Sequence, residues 1–168
     1  MTVKHMLSAA LAIALAVPGW PTFAQHTHDP TKHGQTAADN GHAAPADHRV
    51  DVKFPAELRT HTLANMRDHL LALQEIQAAL ASGRFDQAAD VAEQRLGMSS
   101  LGMHGADEVA QYMPQGMQAV GSAMHRSASR FARAALDASA TNDARPALAA
   151  LAEVTGNCVA CHAGYRLQ

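Results

Sequence analysis

From Phe54 to the end of the chain, apolar side chains return every three or four positions, which is the period of a helix. Leu63, Met66, Leu70, Leu73, Ile76 and Leu80 form one such stripe. It is framed by Pro55, suited to a first helical turn, and by Gly83, suited to the position just past a helix end. A second, shorter helix is predicted from Phe85 to Leu96, with Phe85, Ala88, Ala92 and Leu96 inward and Gly97 ending it. Residues 97–105, GMSSLGMHG, read as a loop, followed by one or two helical turns through Tyr112. Pro114 opens a third helix with Met117, Val120, Met124, Ala128, Phe131 and Ala135 along its stripe, continuing to about Ser139. TNDARP supplies caps for a fourth, with Pro146 in its first turn and Leu148, Leu151, Val154, Cys158 and Cys161 down one face. Ala, Leu, Met and Gln are abundant and β-branched and aromatic residues scarce, so local preference agrees with the pattern. The expected fold is all-α: an antiparallel four-helix bundle over residues 54–168, with short connections and no strand signal.

What precedes the bundle differs in kind. Lys4 and His5 form a short polar start, Met6 to Val17 an apolar run of about twelve residues, and Pro18 breaks it. Thr22-Phe23-Ala24 then offers small residues where a signal peptidase reads, so residues 1–24 are expected to be a cleaved secretory signal. The run is shorter than the ~20 residues that span a bilayer, which disfavours an uncleaved anchor. Export would place the protein in the periplasm, an oxidising compartment, without stable membrane insertion. Residues 25–53 lack periodicity and a large apolar cluster and carry Pro30 and Pro45, which predicts a disordered tether. Five of the eleven histidines sit there: His26, His28, His33, His42 and His48. Such a tract either binds zinc or copper loosely or is a solvated linker. A formal charge of −2 and a pI of about 6.6 favour neither nucleic acid nor an anionic membrane as partner.

The chain ends in NCVACHAGYRLQ, which holds the only two cysteines. On a helix, Cys158, Cys161 and His162 share a face, so two sulfurs and an imidazole point together. Three chemistries use such a pair: a disulfide, whether catalytic or structural, a zinc site, or covalent attachment of haem. A thiol–disulfide catalyst carries C-x-x-C beside a strand, and no strand is predicted here. Structural zinc wants four ligands, and no second cluster has the right spacing. A plain disulfide would strain a helix at this separation. Covalent haem needs this arrangement: two thiols for the vinyl groups and a histidine for the iron, the C-x-x-C-H attachment signature. A haem would also account for the scarcity of aromatic residues, because it brings its own flat apolar surface. Gly156, which costs about 1 kcal/mol mid-helix relative to Ala, then either clears space for a porphyrin edge or is simply tolerated.

A haem held by His162 leaves one axial position open. Of the eight methionines, Met66, Met117 and Met124 lie on inward stripes, where a methionine is core filler by default. His69 and His125 also lie near the bundle, though lone helical histidines are more often exposed or hydrogen-bonded. An empty apolar site would instead admit small gases such as NO or CO.

A four-helix bundle whose last helix ends in C-x-x-C-H-x-x-Y/F-R resembles the class II cytochromes c, that is, cytochrome c-prime and its low-spin relatives. CVACHAGYR is similar residue by residue, which implies thioether bonds at Cys158 and Cys161, His162 as fifth iron ligand, and Tyr165 and Arg166 in the aromatic and basic positions. The first helix, from NMRDHLLALQEIQAALASGRFDQAA onward, is also similar, with Met66, Gly83 and Phe85-Asp86 in the low-spin order. That implies Met66 as sixth ligand, whereas the high-spin branch keeps an empty site behind a nonpolar shield. The resemblance spans Phe54 to Gln168. Two features depart from it: the histidine-rich tether, and a Met- and His-rich middle in which Met103, Met117 or Met124 would compete for the iron.

The expected function is therefore a periplasmic mono-haem c-type cytochrome that carries single electrons between redox partner proteins and is not itself an enzyme. Arg166 either pairs with a haem propionate or is a solvated helix end. The alternatives are a five-coordinate NO- or CO-binding protein, and a copper- or zinc-binding protein using the tether and the Met-rich middle. The resemblance also implies a homodimer through the first two helices.

Overall fold

The computed structural model describes residues 46–168, and helix accounts for 75% of them. The expected signal segment and most of the expected tether lie outside the described residues. Five helices follow one another: α1 (Ala56–Ala81), α2 (Phe85–Arg95), α3 (Ala106–Ala110), α4 (Gln115–Thr141) and α5 (Arg145–Gly164). No helix among the described residues is long and apolar enough to cross a membrane.

The punctuation in the sequence sets the helix ends. Pro55 and Pro114 stand at the N-caps of α1 and α4, and their carbonyls accept the first helical bonds, from Arg59 N at 2.9 Å and Gln118 N at 3.0 Å. Gly83 turns left-handed at φ 67°, and Arg84 N then reaches back to Ala79 O at 2.9 Å, closing α1. Asn142, also left-handed at φ 56°, ends α4. The Asp143 carboxylate accepts the Arg145 N–H at 3.0 Å as α5 begins, with Pro146 in its first turn.

α4 packs on α5 and on α2, and α2 packs on α1. The contact surfaces are mostly alanine: Ala72, Ala79, Ala88, Ala92, Ala128 and Ala135 are wholly buried, so helix backbones approach closely. Phe131, Ile76, Leu96 and Val154 fill what remains.

The α1 stripe turns out to be rotated from the expected one. Its buried face is Thr62, His69, Ala72, Ile76, Ala79 and Leu80, and Leu70 is 68% exposed. Ala72 and Ala79 go inward because α2 is close, and a leucine there would hold the helices apart. In α5, likewise, Ala147 takes the buried position and Leu148 is exposed.

One element had no counterpart in the sequence analysis. Val50–Val52 (β1) pairs in parallel with Tyr165–Leu167 (β2), with Val50 opposite Tyr165, Asp51 opposite Arg166 and Val52 opposite Leu167. The ordered fold thus reaches back into the segment expected to be tether, and the chain leaves α5 as a strand. Val52 is buried in a second apolar cluster with Phe54, Val109 and Met117. Three residues are too few for alternation to register, and the partner strand is more than a hundred residues away.

Candidate functional site

Cys158 and Cys161 sit in the last turns of α5, which the structure carries unbroken through the motif. Just before them, the Asn157 side chain donates to Ser127 Oγ at 3.2 Å and to Glu153 O at 2.9 Å. Ser127 is itself buried and donates to Met124 O at 2.7 Å. This chain of bonds fixes the rotation of α5 on α4, and with it the direction of the thiols. Both thiols are free and half-buried. Cys158 packs on the main core and donates weakly to Val154 O at 3.4 Å, whereas Cys161 packs on the second cluster. Burial pushes both thiols up from their ordinary pKa, and Cys158 adds to the effect at Cys161. They also lie at the negative end of the helix dipole, which disfavours a thiolate. A thiol–disulfide catalyst needs the reverse, a depressed pKa at a helix N-terminus.

His162 is exposed beside this pair. The donor set fits a covalently attached haem: two unpaired thiols one helical turn apart against apolar side chains, with an imidazole next to the second. An alanine Cβ at Gly156 would meet nothing within 4 Å, so protein packing does not require that glycine. Arg166 has a partner inside the fold: its guanidinium pairs with Asp51 across the two strands and lies 3.4 Å from Asp47. It is therefore not merely a solvated helix end.

Met66 lies elsewhere. It lines a cleft of about 270 Å³ together with Thr62, Asn65 and His69 of α1, His104, Met113 and α3, and Gly121 and His125 of α4. Cys158, Cys161 and His162 do not line it. Of the predicted residues, Cys158, Cys161 and His162 share the end of α5, while Met66 lines the cleft with three histidines; Val109 and Met113, which line the same cleft, belong to the cluster against which Cys161 packs.

The histidine group was not legible in the sequence. The ring centres of His69 and His104 are 4.8 Å apart, those of His104 and His125 5.5 Å, and those of His69 and His125 6.1 Å. His125 Nδ1 is 2.8 Å from Leu96 O and donates to it. His104 is brought in by a short 3₁₀ turn, Met98–Ser100, and by Asn65, which donates to His104 O at 3.3 Å. The Ser100 hydroxyl donates to Gly97 O at 2.8 Å, which leaves its oxygen to accept from His104 Nδ1 at 3.4 Å. Among the described residues, the buried Nε2 atoms of His69 and His104 have no hydrogen-bond partner. Burial lowers the pKa of all three rings, that of His69 to about 4, with His104 and His125 adding to the effect there. All three are neutral at pH 7. The tight turn, not any motif, carries His104 to the others.

No family model, curated protein or solved structure matches this chain. The likeness to the class II cytochromes c therefore rests on the residues quoted above.

Proposed function

We propose that this chain is a periplasmic mono-haem c-type cytochrome that carries single electrons between protein partners, built as an antiparallel four-helix bundle. One observation carries the reading: two free thiols one turn apart near the end of α5, half-buried against apolar side chains, with His162 exposed alongside. The haem would supply the one-electron iron couple. Cys158 and Cys161 would hold it through thioether bonds, His162 would ligate its iron, and the Asn157–Ser127 bond would keep the thiols aimed. Apolar side chains beside both sulfurs would help to set the potential of a haem held there. Leu70 and Leu71, exposed on α1, give a homodimer an apolar face.

The sixth ligand is open to two readings. The likeness in the first helix favours Met66. The placement of Met66 in a cleft that neither cysteine lines favours a vacant position and NO or CO binding. The absorption spectrum of the oxidised protein separates them. A methionine-to-iron charge-transfer band that Met66→Ala abolishes establishes ligation. A high-spin spectrum that shifts on adding NO, unchanged by Met66→Ala, establishes the vacancy.

A further inference from the structure

We propose that His69, His104 and His125, with the Met66 thioether, form a Cu(I)-binding site separate from the C-terminal cysteine motif and from the histidine-rich tether, a site that rests on the reading in which Met66 does not ligate haem iron.

The spacing of the rings is the first argument. Three imidazoles that bind one ion through Nε2 at ~2.0–2.1 Å hold their ring centres roughly 5–6 Å apart. The observed separations of 4.8, 5.5 and 6.1 Å bracket that range. Unpaired nitrogens are the second. A buried polar atom left without a partner costs about 1–3 kcal/mol, and His69 and His104 each leave Nε2 in that state. Two such atoms on neighbouring rings are an expense the fold carries unless something else bonds them. Outer-shell geometry is the third. Metal-bound histidines typically donate the second ring N–H to a carbonyl or other acceptor, which fixes the tautomer and bares the ligating nitrogen. His125 does so to Leu96 O, and His104 faces the Ser100 oxygen in the same way.

The cleft selects the ligand class. At about 270 Å³ it falls below the ~300–1,000 Å³ usual for organic ligands. Imidazole suits zinc, copper, nickel and iron alike, but a thioether selects Cu(I) among them. Among the described residues, no group of three or more His, Cys, Asp or Glu side chains stands in a ready-made ligand arrangement. The rings must therefore turn to meet an ion, His104 and His125 about the bonds that their Nδ1 atoms already make.

The test is a competition titration of the full mature chain with chelator-buffered Cu(I) under anaerobic reducing conditions. It is repeated on His104→Gln, His125→Gln and Met66→Leu, with circular dichroism to confirm folding. One tight equivalent is expected, weakened at least about a hundredfold by either histidine change and about tenfold by Met66→Leu. X-ray absorption of the copper-loaded wild type, which needs no variant to fold, should show mostly nitrogen and one sulfur neighbour. Retention of the tight equivalent in His104→Gln and His125→Gln overturns the site, as does its loss only when His26, His28, His33, His42 and His48 are replaced. A copper shell without sulfur removes Met66. If the histidine variants alter a haem spectrum and not copper uptake, the imidazoles serve iron and the copper site is wrong. Copper is read by metal content and haem by its own absorption, so the two proposals fail separately.

Discussion

His69 shows how one buried side chain links sequence to solution behaviour. Its ring is 8% exposed and faces His104 and His125, with Asp68 and Arg95 as the nearest fixed charges. Burial, reinforced by its two histidine neighbours, holds its pKa near 4, against 6.5 in an unfolded chain. Above pH 6.5 both states are neutral there. As pH falls, the unfolded chain takes up a proton that the folded one refuses, so stability declines from pH 6.5 to about 4 and then levels off. The loss attributable to His69 is about 3 kcal/mol. Urea unfolding of metal-free protein across that range should show this slope, and His69→Gln should reduce it, with the part due to His104 and His125 remaining. A second single-residue outcome concerns Gly156. With open space around its Cβ position, Gly156→Ala should stabilise the haem-free chain by about 1 kcal/mol. Thermal unfolding of both forms measures it: a gain that shrinks in haem-loaded protein would mean that Gly156 clears space for a porphyrin edge, and an equal gain that it is simply tolerated.

At the level of elements, α2 is held to α1 by more than alanine packing. Arg95, in the last turn of α2, reaches Glu75 at 2.6 Å and Asp68 through two nitrogens at 2.5 and 3.0 Å, and also donates to Asp68 O at 3.1 Å. Its side chain is only 19% exposed, so this network is worth more than an isolated surface pair. Arg95→Ala should cost about 1–2 kcal/mol, less at high salt, as read from denaturant midpoints. The helices themselves were legible: the prolines at 55, 114 and 146 and the glycine at 83 stand where the sequence placed the ends. Which face each helix buries was less so. Hydropathy favours Leu70 and Leu148 as inward residues, but close helix packing selects Ala72 and Ala147 beside them. The pairing of β1 with β2 could not be read, because it joins two three-residue segments from opposite ends of the fold.

For the molecule as a whole, the two chemical centres differ in how they were encoded. Cys158, Cys161 and His162 stand at i, i+3 and i+4 on one helix, so their shared face is legible from spacing alone. His69, His104 and His125 come from three separate segments, and only the loop between α2 and α4 brings His104 to the others. Local sequence reasoning has no signal for such a group. Arg166 is an intermediate case: its place in the motif is evident, but its pairing with Asp51 depends on β1 folding back against the chain terminus. The fold thus anchors the motif from two sides, through the bond from Asn157 to Ser127 of α4 and through the strand that begins at Tyr165.

Intact mass spectrometry of the mature chain, from a host able to mature c-type cytochromes, tests the central claim most directly. One haem per polypeptide should remain bound after denaturation, mapped by peptide digestion to both Cys158 and Cys161. A colourless product at the mass of the unmodified polypeptide, with both thiols titratable, would contradict it.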